Sequence, residues 1–312
     1  MKVLFIDIVH PILQERLTKA GYICIDGTKL SKEECEKEII DMSGVVIRSR
    51  FRMEASFLSQ AKYLKFIARS GAGMENIDVD YCQKNNIALY NAPEGNRNAV
   101  GEHALGMLLS LFNRLHLADR EVKNGKWDRE GNRGIELDGK TVGIIGYGNN
   151  GSAFAKKLRG FDVEILAYDK YKSGFGNEFV KESTLEELFQ SCDVVSFHIP
   201  QNEETIYFAN DDFFASFAKN IYLINLSRGK VVKTSALVHS LKNGKVIGAC
   251  LDVLEYEKSS FESFFEQEMN EDFKYILNSE KTLLSPHVGG WTVESYFKLS
   301  DVLADKILPH PQ

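Results

Sequence analysis

Residues 141–151 read Thr-Val-Gly-Ile-Ile-Gly-Tyr-Gly-Asn-Asn-Gly, and this stretch decides the fold. Residues 141–145 are an apolar, β-prone run. Gly146, Gly148 and Gly151 follow at the spacing G-x-G-x-x-G, and residues 152–158 then take a helical pattern with Phe154 and Leu158 on one face. In such a strand–turn–helix the first glycine permits a tight turn, and the second lets a pyrophosphate approach the backbone. The third lets helix and strand pack closely, so that the helix N-terminus offers its amides to phosphates. The next apolar run ends in Tyr168-Asp169, 18 residues beyond Gly151. A carboxylate there accepts both hydroxyls of an adenosine ribose and repels a 2′-phosphate. NAD is therefore expected over NADP, with Lys170 and Lys172 working against that preference.

Short β-rich runs alternate with helical patterns on both sides of the loop. Before it, runs at 3–6, 22–25, 45–47, 64–68 and 87–89 are separated by helices such as 12–20 and 32–42, the second capped by Ser31. After it come runs at 163–168, 194–197, 222–225 and 246–251. That alternation predicts parallel sheets with helices on their faces. A helical pattern from Ala99 to about Val122 joins the two series. The expected architecture is α/β with two doubly wound parallel-sheet domains. A Rossmann domain over 99–283 is inserted into a flavodoxin-like substrate domain built from 1–98 and 284–312, with the chemistry in the cleft between them. The acidic, aromatic stretch 258–280 breaks the rhythm and is expected to be a subunit contact or a flank of that cleft.

The 312 residues carry a formal net charge of −6, with 44% hydrophobic and 26% charged side chains. That balance argues against nucleic acid or an anionic membrane as main partner. Five scattered cysteines without a C-x-x-C pair predict reduced thiols and a cytoplasmic protein. No zinc-ligand spacing occurs among the seven histidines, so no metal is expected. The N-terminal apolar run is broken by Asp7 and reads as a strand, not a signal peptide.

Three segments lie just beyond apolar strands, where open α/β sheets place ligands: Asn225-Leu226-Ser227-Arg228-Gly229, Leu251-Asp252-Val253-Leu254-Glu255-Tyr256-Glu257 and Ser285-Pro286-His287-Val288-Gly289-Gly290. Hydride transfer from a hydroxy acid needs a cation for the carboxylate, a base for the hydroxyl proton, and a group that holds the base. Arginine clamps a carboxylate bidentately, histidine titrates near neutrality, and a neighbouring carboxylate fixes the histidine's tautomer. Singly, Arg228, Glu257 and His287 read as an ion pair, a surface charge and a turn residue. Together, downstream of a dinucleotide loop, they read as catalytic.

The ordered set GYGNNG…YD, DVVSFHIP, INLSRGKVV, LDVLEYE and SPHVGG resembles the NAD-dependent D-2-hydroxyacid dehydrogenase family over nearly the whole chain. The resemblance implies that Arg228 binds and polarises the substrate, His287 is the acid/base and Glu257 its partner. Glu257 stands five residues after Asp252, as the family's spacing requires, and is preferred to Glu255 for that reason. The resemblance also assigns cofactor contacts to Gly146, Gly148, Asn149, Asn150, Gly151, Asp169, His198, Pro200, Leu226, Ser227, Arg228, His287, Gly289 and Gly290, and it gives Asp252 the nicotinamide carboxamide. His198 and Pro200 also fit a role in shaping a turn. The chain departs from the pattern at Asn150, usually Ile or Met; at Gly101, usually Ala; and at Lys258, usually Pro.

Arginines near the strand ends point to a substrate with more than one negative charge. Arg48 and Arg50, two apart in Arg48-Ser49-Arg50, share a strand face. Arg69 precedes Ser70-Gly71-Ala72-Gly73, whose amides suit a carboxylate. The segments IRSR, ARSGAGMENID and NAPEGN…AVGEH are similar to the branch of the family that acts on D-3-phosphoglycerate, in serine synthesis. That similarity implies Arg48 and Arg69 on the phosphate and Asn96 and the backbone of Gly71, Ala72 and Gly73 on the substrate itself, with Ser49 also among the substrate-binding residues. A homodimer is expected, and no regulatory domain is expected after the helix near 293–307. A different 2-keto acid (hydroxypyruvate, glyoxylate or erythronate 4-phosphate) is the nearest alternative. A nucleotide-sensing corepressor on the same scaffold is the alternative of another class.

Overall fold

The computed structural model describes residues 1–257 and 269–308, which fall into two compact units. The first unit holds residues 1–97 and 291–308, and the second holds 98–257 and 269–290.

In the first unit, strands β1 (Lys2–Phe5), β2 (Ile23–Asp26), β3 (Gly44–Ile47), β4 (Phe66–Arg69) and β5 (Ala88–Asn91) form one parallel sheet in the order β2-β1-β3-β4-β5. This is the flavodoxin-like order. Its winding reverses between β1 and β3, so the loops leaving these two strands face a crevice by topology alone. Asp7 lies in the first loop and Arg48 to Arg50 in the second. Helix Ile12–Lys19 buries Leu13 and Leu17 against Leu299, Leu303 and Ala304 of helix Val293–Ile307. Arg16 pairs with Asp301 at 2.6 Å and Asp305 at 2.7 Å on the rim of that contact. Ser31 caps helix Lys32–Glu38 in a capping box with Glu34, which closes both orphan amides.

In the second unit, β6 (Thr141–Ile145), β7 (Glu164–Tyr168), β8 (Lys181–Glu182), β9 (Val194–Phe197), β10 (Ile221–Asn225), β11 (Val246–Leu251) and β12 (Thr282–Leu284) form a parallel sheet ordered β12-β11-β10-β9-β6-β7-β8. Its reversal lies between β6 and β9. The sheet is Rossmann-like, and its central strands are buried along their whole length.

Three expectations are corrected. Residues 284–290, assigned above to the substrate domain, stay with the second unit, because β12 pairs with β11 and the following turn is tethered to Asp252. Asn98 also opens the second unit, its amide bonding Glu102. The connector helix runs Pro93–Phe112, with proline in its first turn, and is followed by a separate helix Leu115–Lys123. The break falls at Arg114, which is left-handed at φ 52°, while the Phe112 carbonyl accepts from the Ile135 amide. A leucine-rich pattern does not reveal that distant partner. Within the aromatic stretch, Phe273 is buried in helix Glu271–Asn278. Phe261, Phe264 and Phe265 lie outside the described residues.

Candidate active site

The loops leaving β10, β11 and β12 are locked to one another by buried polar groups. Asn225, fully buried, accepts from the Ser227 amide and hydroxyl (3.1 and 2.8 Å) and donates to the Arg228 carbonyl (3.0 Å). These bonds fix the turn that presents Arg228. A Cβ on Gly229 would lie 1.9 Å from the Leu254 carbonyl oxygen, so only glycine lets this turn meet the loop 252–257. At the far end of that loop, Glu257 Oε2 lies 2.7 Å from His287 Nδ1, and Glu257 Oε1 accepts from the Leu254 amide. Glu255 is occupied elsewhere: its two oxygens accept from the Tyr207 hydroxyl (2.7 Å) and the Thr234 amide (2.8 Å).

His287 sits at φ 55°, a left-handed conformation uncommon for a side chain other than glycine or asparagine. Asp252 holds it there. The Asp252 carbonyl accepts from the His287 amide at 2.8 Å. Its carboxylate, 2% exposed, accepts from the Ser285 hydroxyl (2.6 Å) and from the amides of Val288 (2.9 Å) and Gly289 (2.8 Å). Gly289 has to be glycine, since a Cβ would lie 2.8 Å from Asp252 Oδ2 and 3.1 Å from Leu226. His103 completes the cluster, with Nε2 at 2.9 Å from Ser285 Oγ and 3.7 Å from Asp252 Oδ1.

The glycine loop leaves β6 at the reversal of the same sheet, and packing requires two of its three glycines. Gly146 has φ 94° and lies under the His198 carbonyl, 2.7 Å from where a Cβ would be. A Cβ on Gly151 would stand 2.0 Å from the Gly146 carbonyl oxygen, so helix Asn149–Leu158 could not begin there. At Gly148 a Cβ would meet no protein atom within 4 Å. The protein's own packing does not demand glycine at 148, and the space over it is open. Among the described residues, no side chain caps the first amides of the following helix and none hydrogen-bonds the buried side-chain oxygen of Asn150. Asp169 ties this loop to the end of β7: Oδ2 accepts from the Tyr147 amide (2.8 Å), and Oδ1 from the amides of Tyr171 (2.9 Å) and Lys172 (3.1 Å). Oδ2, which accepts from one amide only, keeps acceptor capacity for a further donor. His198, after β9, bonds Ser196 at 2.8 Å, and burial pushes its imidazole down to about 3, so the ring is neutral. The Pro200 carbonyl accepts from Thr205 Oγ (2.7 Å), closing a turn.

In the first unit, Arg69 folds back over its own loop: a Cβ on Gly71 would lie 1.5 Å from Arg69 Nη1. The Gly71 carbonyl accepts from the Ala92 amide (2.8 Å) and the Ala72 carbonyl from Asn91 Nδ2 (2.5 Å), which fixes the loop through Gly73. The Asn96 side-chain oxygen is buried and has no hydrogen-bond partner among the described residues. The strand face foreseen for Arg48 and Arg50 does not form: β3 ends at Ile47 and both residues lie in the bend that follows. Arg50 donates to the carbonyls of Ile6 (3.0 Å), Gly27 (3.2 Å) and Leu30, which makes it a structural tie.

Residues 105–289 match the model of the D-isomer specific 2-hydroxyacid dehydrogenase, NAD binding domain. The chain belongs to the D-isomer specific 2-hydroxyacid dehydrogenase family. It is 33% identical over 310 residues to a D-3-phosphoglycerate dehydrogenase of Archaeoglobus fulgidus, covering 99% of this chain and 57% of that protein. A hydroxypyruvate reductase of Thermotoga maritima is 32% identical, covering 91% of this chain and 89% of that protein. A D-lactate dehydrogenase of Aquifex aeolicus, solved with NAD and lactic acid, superposes with a TM-score of 0.82 at 27% identity, over 98% of this chain and 94% of that one. The chain spans little more than half the length of the phosphoglycerate dehydrogenases it matches.

As a member of this family the chain has NAD as its cofactor, and the uncapped helix, the open space over Gly148 and the Asn150 oxygen fit it. Next to Asp169, Lys170 is held by Glu204 at 2.7 Å, which removes one of the two cations that would favour a 2′-phosphate. Asp169→Asn is expected to raise the NADPH-to-NADH affinity ratio about tenfold, the worth of one charge-assisted hydrogen bond. Fluorescence titration of the two reduced cofactors reads it, and an unchanged ratio would remove Asp169 from the selectivity. The sequence reading missed His103 and Asn225. His103 stands within the quoted segment AVGEH, and Asn225 opens the quoted segment NLSRG, but neither carries a signal of its contacts.

Proposed function

We propose that this dehydrogenase interconverts D-3-phosphoglycerate and 3-phosphohydroxypyruvate, with Arg228, Glu257 and His287 as its catalytic residues. The observation that carries the chemistry is the His287–Glu257 pair at 2.7 Å, both side chains largely but not wholly buried. With Nδ1 committed to the carboxylate, Nε2 is the nitrogen that exchanges the proton of the C2 hydroxyl, and Glu257 stabilises the imidazolium that results. Arg228 holds the substrate carboxylate and polarises the carbonyl oxygen. Bound NAD supplies the hydride carrier for C2. Ser285 and Asp252 hold the histidine's turn in place and take no part in the proton transfer.

The phosphorylated substrate is supported by relatives named D-3-phosphoglycerate dehydrogenase, which match nearly the whole chain, by Arg48 at the crevice of the first sheet and by Arg69 at the end of the neighbouring strand β4. Steady-state kinetics with NADH should give kcat/KM for 3-phosphohydroxypyruvate at least about tenfold above hydroxypyruvate, the worth of one charged hydrogen bond. Equal values would sink the phosphate and favour plain hydroxypyruvate, the reading suggested by the relative in Thermotoga maritima, whose whole length the chain nearly spans. The same proposal takes the working form to be a cytoplasmic homodimer. Leu115, Val122 and Trp127 on the second unit, 55%, 50% and 80% exposed, are apolar surface for a second copy to cover.

A further inference from the structure

Among the described residues, the Arg48 guanidinium has no carboxylate or carbonyl partner. Its backbone is fixed, the amide donating to Asp7 Oδ2 (2.6 Å) and the carbonyl accepting from Asn76 Nδ2 (3.1 Å). The guanidinium carbon instead lies 4.0 Å from the ring centroid of Trp291. Burial pushes the Arg48 pKa below its ordinary value, with Asp7 and Tyr296 opposing the shift. Asp7 is the carboxylate whose charge reaches the guanidinium, yet of Arg48 it hydrogen-bonds only the backbone amide, so the guanidinium N–H groups stay open to an incoming anion. Arg48 also leaves β3 at the reversal of the first sheet, where topology opens a crevice.

Trp291 is itself held. Its ring meets Tyr296 edge-on at 6.0 Å, and Tyr296 is backed by His10 at 5.3 Å. The indole remains 48% exposed, more than a tryptophan needs if its task were packing alone. Stacking occupies a face of the guanidinium plane and leaves the N–H donors along its edge pointing outward. That edge is the fork that grips a phosphate or carboxylate bidentately.

We propose that Trp291 is a positioning residue for substrate specificity: its indole is the platform that holds the Arg48 fork ready for a second anionic group on the hydroxy acid, a phosphate ester or a carboxylate. This rests on the functional reading above, in which Arg48 faces the distal anion. Arg48 is the binding group, and Trp291 acts through it.

The test combines kinetics with a fluorescence reading that does not depend on turnover. Trp291→Ala is expected to lower the ratio of kcat/KM for 3-phosphohydroxypyruvate to that for hydroxypyruvate about tenfold, with the loss in KM. Trp291→Phe, which keeps an aromatic face, should recover most of the ratio. The double variant Trp291→Ala/Arg48→Ala should be no worse than Arg48→Ala alone, because the indole acts only through the arginine. A full ratio in Trp291→Ala, or additive losses in the double variant, would overturn the platform. If the wild type treats the two acids alike, the phosphate reading fails, and fluorescence then decides the platform separately. The chain has two tryptophans, so Trp127→Phe leaves Trp291 as sole reporter. Inorganic phosphate or succinate should change its emission, and Arg48→Ala should abolish the change. No response to either anion would overturn the proposal.

Discussion

His287→Ala is expected to lower kcat for reduction of a 2-keto acid with NADH by about 10²–10⁴-fold, the usual worth of a positioned acid/base. The reason is local. The imidazole is the group at the tip of the 285–289 turn, its Nδ1 faces Glu257 at 2.7 Å, and the substitution removes the proton donor without touching the glycine loop. NADH affinity, read by fluorescence titration, should change by only a few fold. Glu257→Gln keeps a hydrogen-bonding partner for Nδ1 and removes its charge, so its loss should be smaller. If His287→Ala retained turnover within tenfold of wild type, the proton would be handled elsewhere, and the Glu257 assignment would go with it.

Asp252→Ala is expected to damage the fold and the chemistry together. Two backbone amides and the Ser285 hydroxyl would lose their acceptor in a place that is 2% exposed. Each such loss costs about 1–3 kcal/mol. The melting temperature of the cofactor-free protein should therefore fall by several degrees, on the order of 5–10 °C. Activity should fall as well, because the left-handed His287 is held by the same residue. The cofactor-free melt separates this role from the carboxamide contact that the family resemblance implies. A residue that only touches nicotinamide would leave the empty protein's stability unchanged.

The residues of the candidate site were largely legible in the sequence, but their division of labour was not. Glu257 could be preferred to Glu255 from spacing, yet the physical ground is that Tyr207 and Thr234, far away in the chain, occupy both Glu255 oxygens. Arg48 and Arg50 look alike in the sequence. Three carbonyls, from Ile6, Gly27 and Leu30, consume one of them, and an indole 243 positions beyond the other stacks on it. No pattern of local periodicity contains such pairings.

The sequence by itself determined the glycine loop, the parallel α/β alternation and the order of the two units. Those features rest on constraints that are local or nearly so: a backbone turn at φ 94° that excludes a Cβ, a helix that starts against a carbonyl, and apolar runs too short for anything but strands. Only the tertiary structure decided that Asp252 builds the His287 turn, that the connector helix breaks at Arg114, and that the Arg48 guanidinium has an aromatic face beneath it and, among the described residues, no carboxylate hydrogen-bonded to it. In each case the deciding partner lies distant in the chain, and it fixes which hydrogen-bonding groups remain available for a ligand.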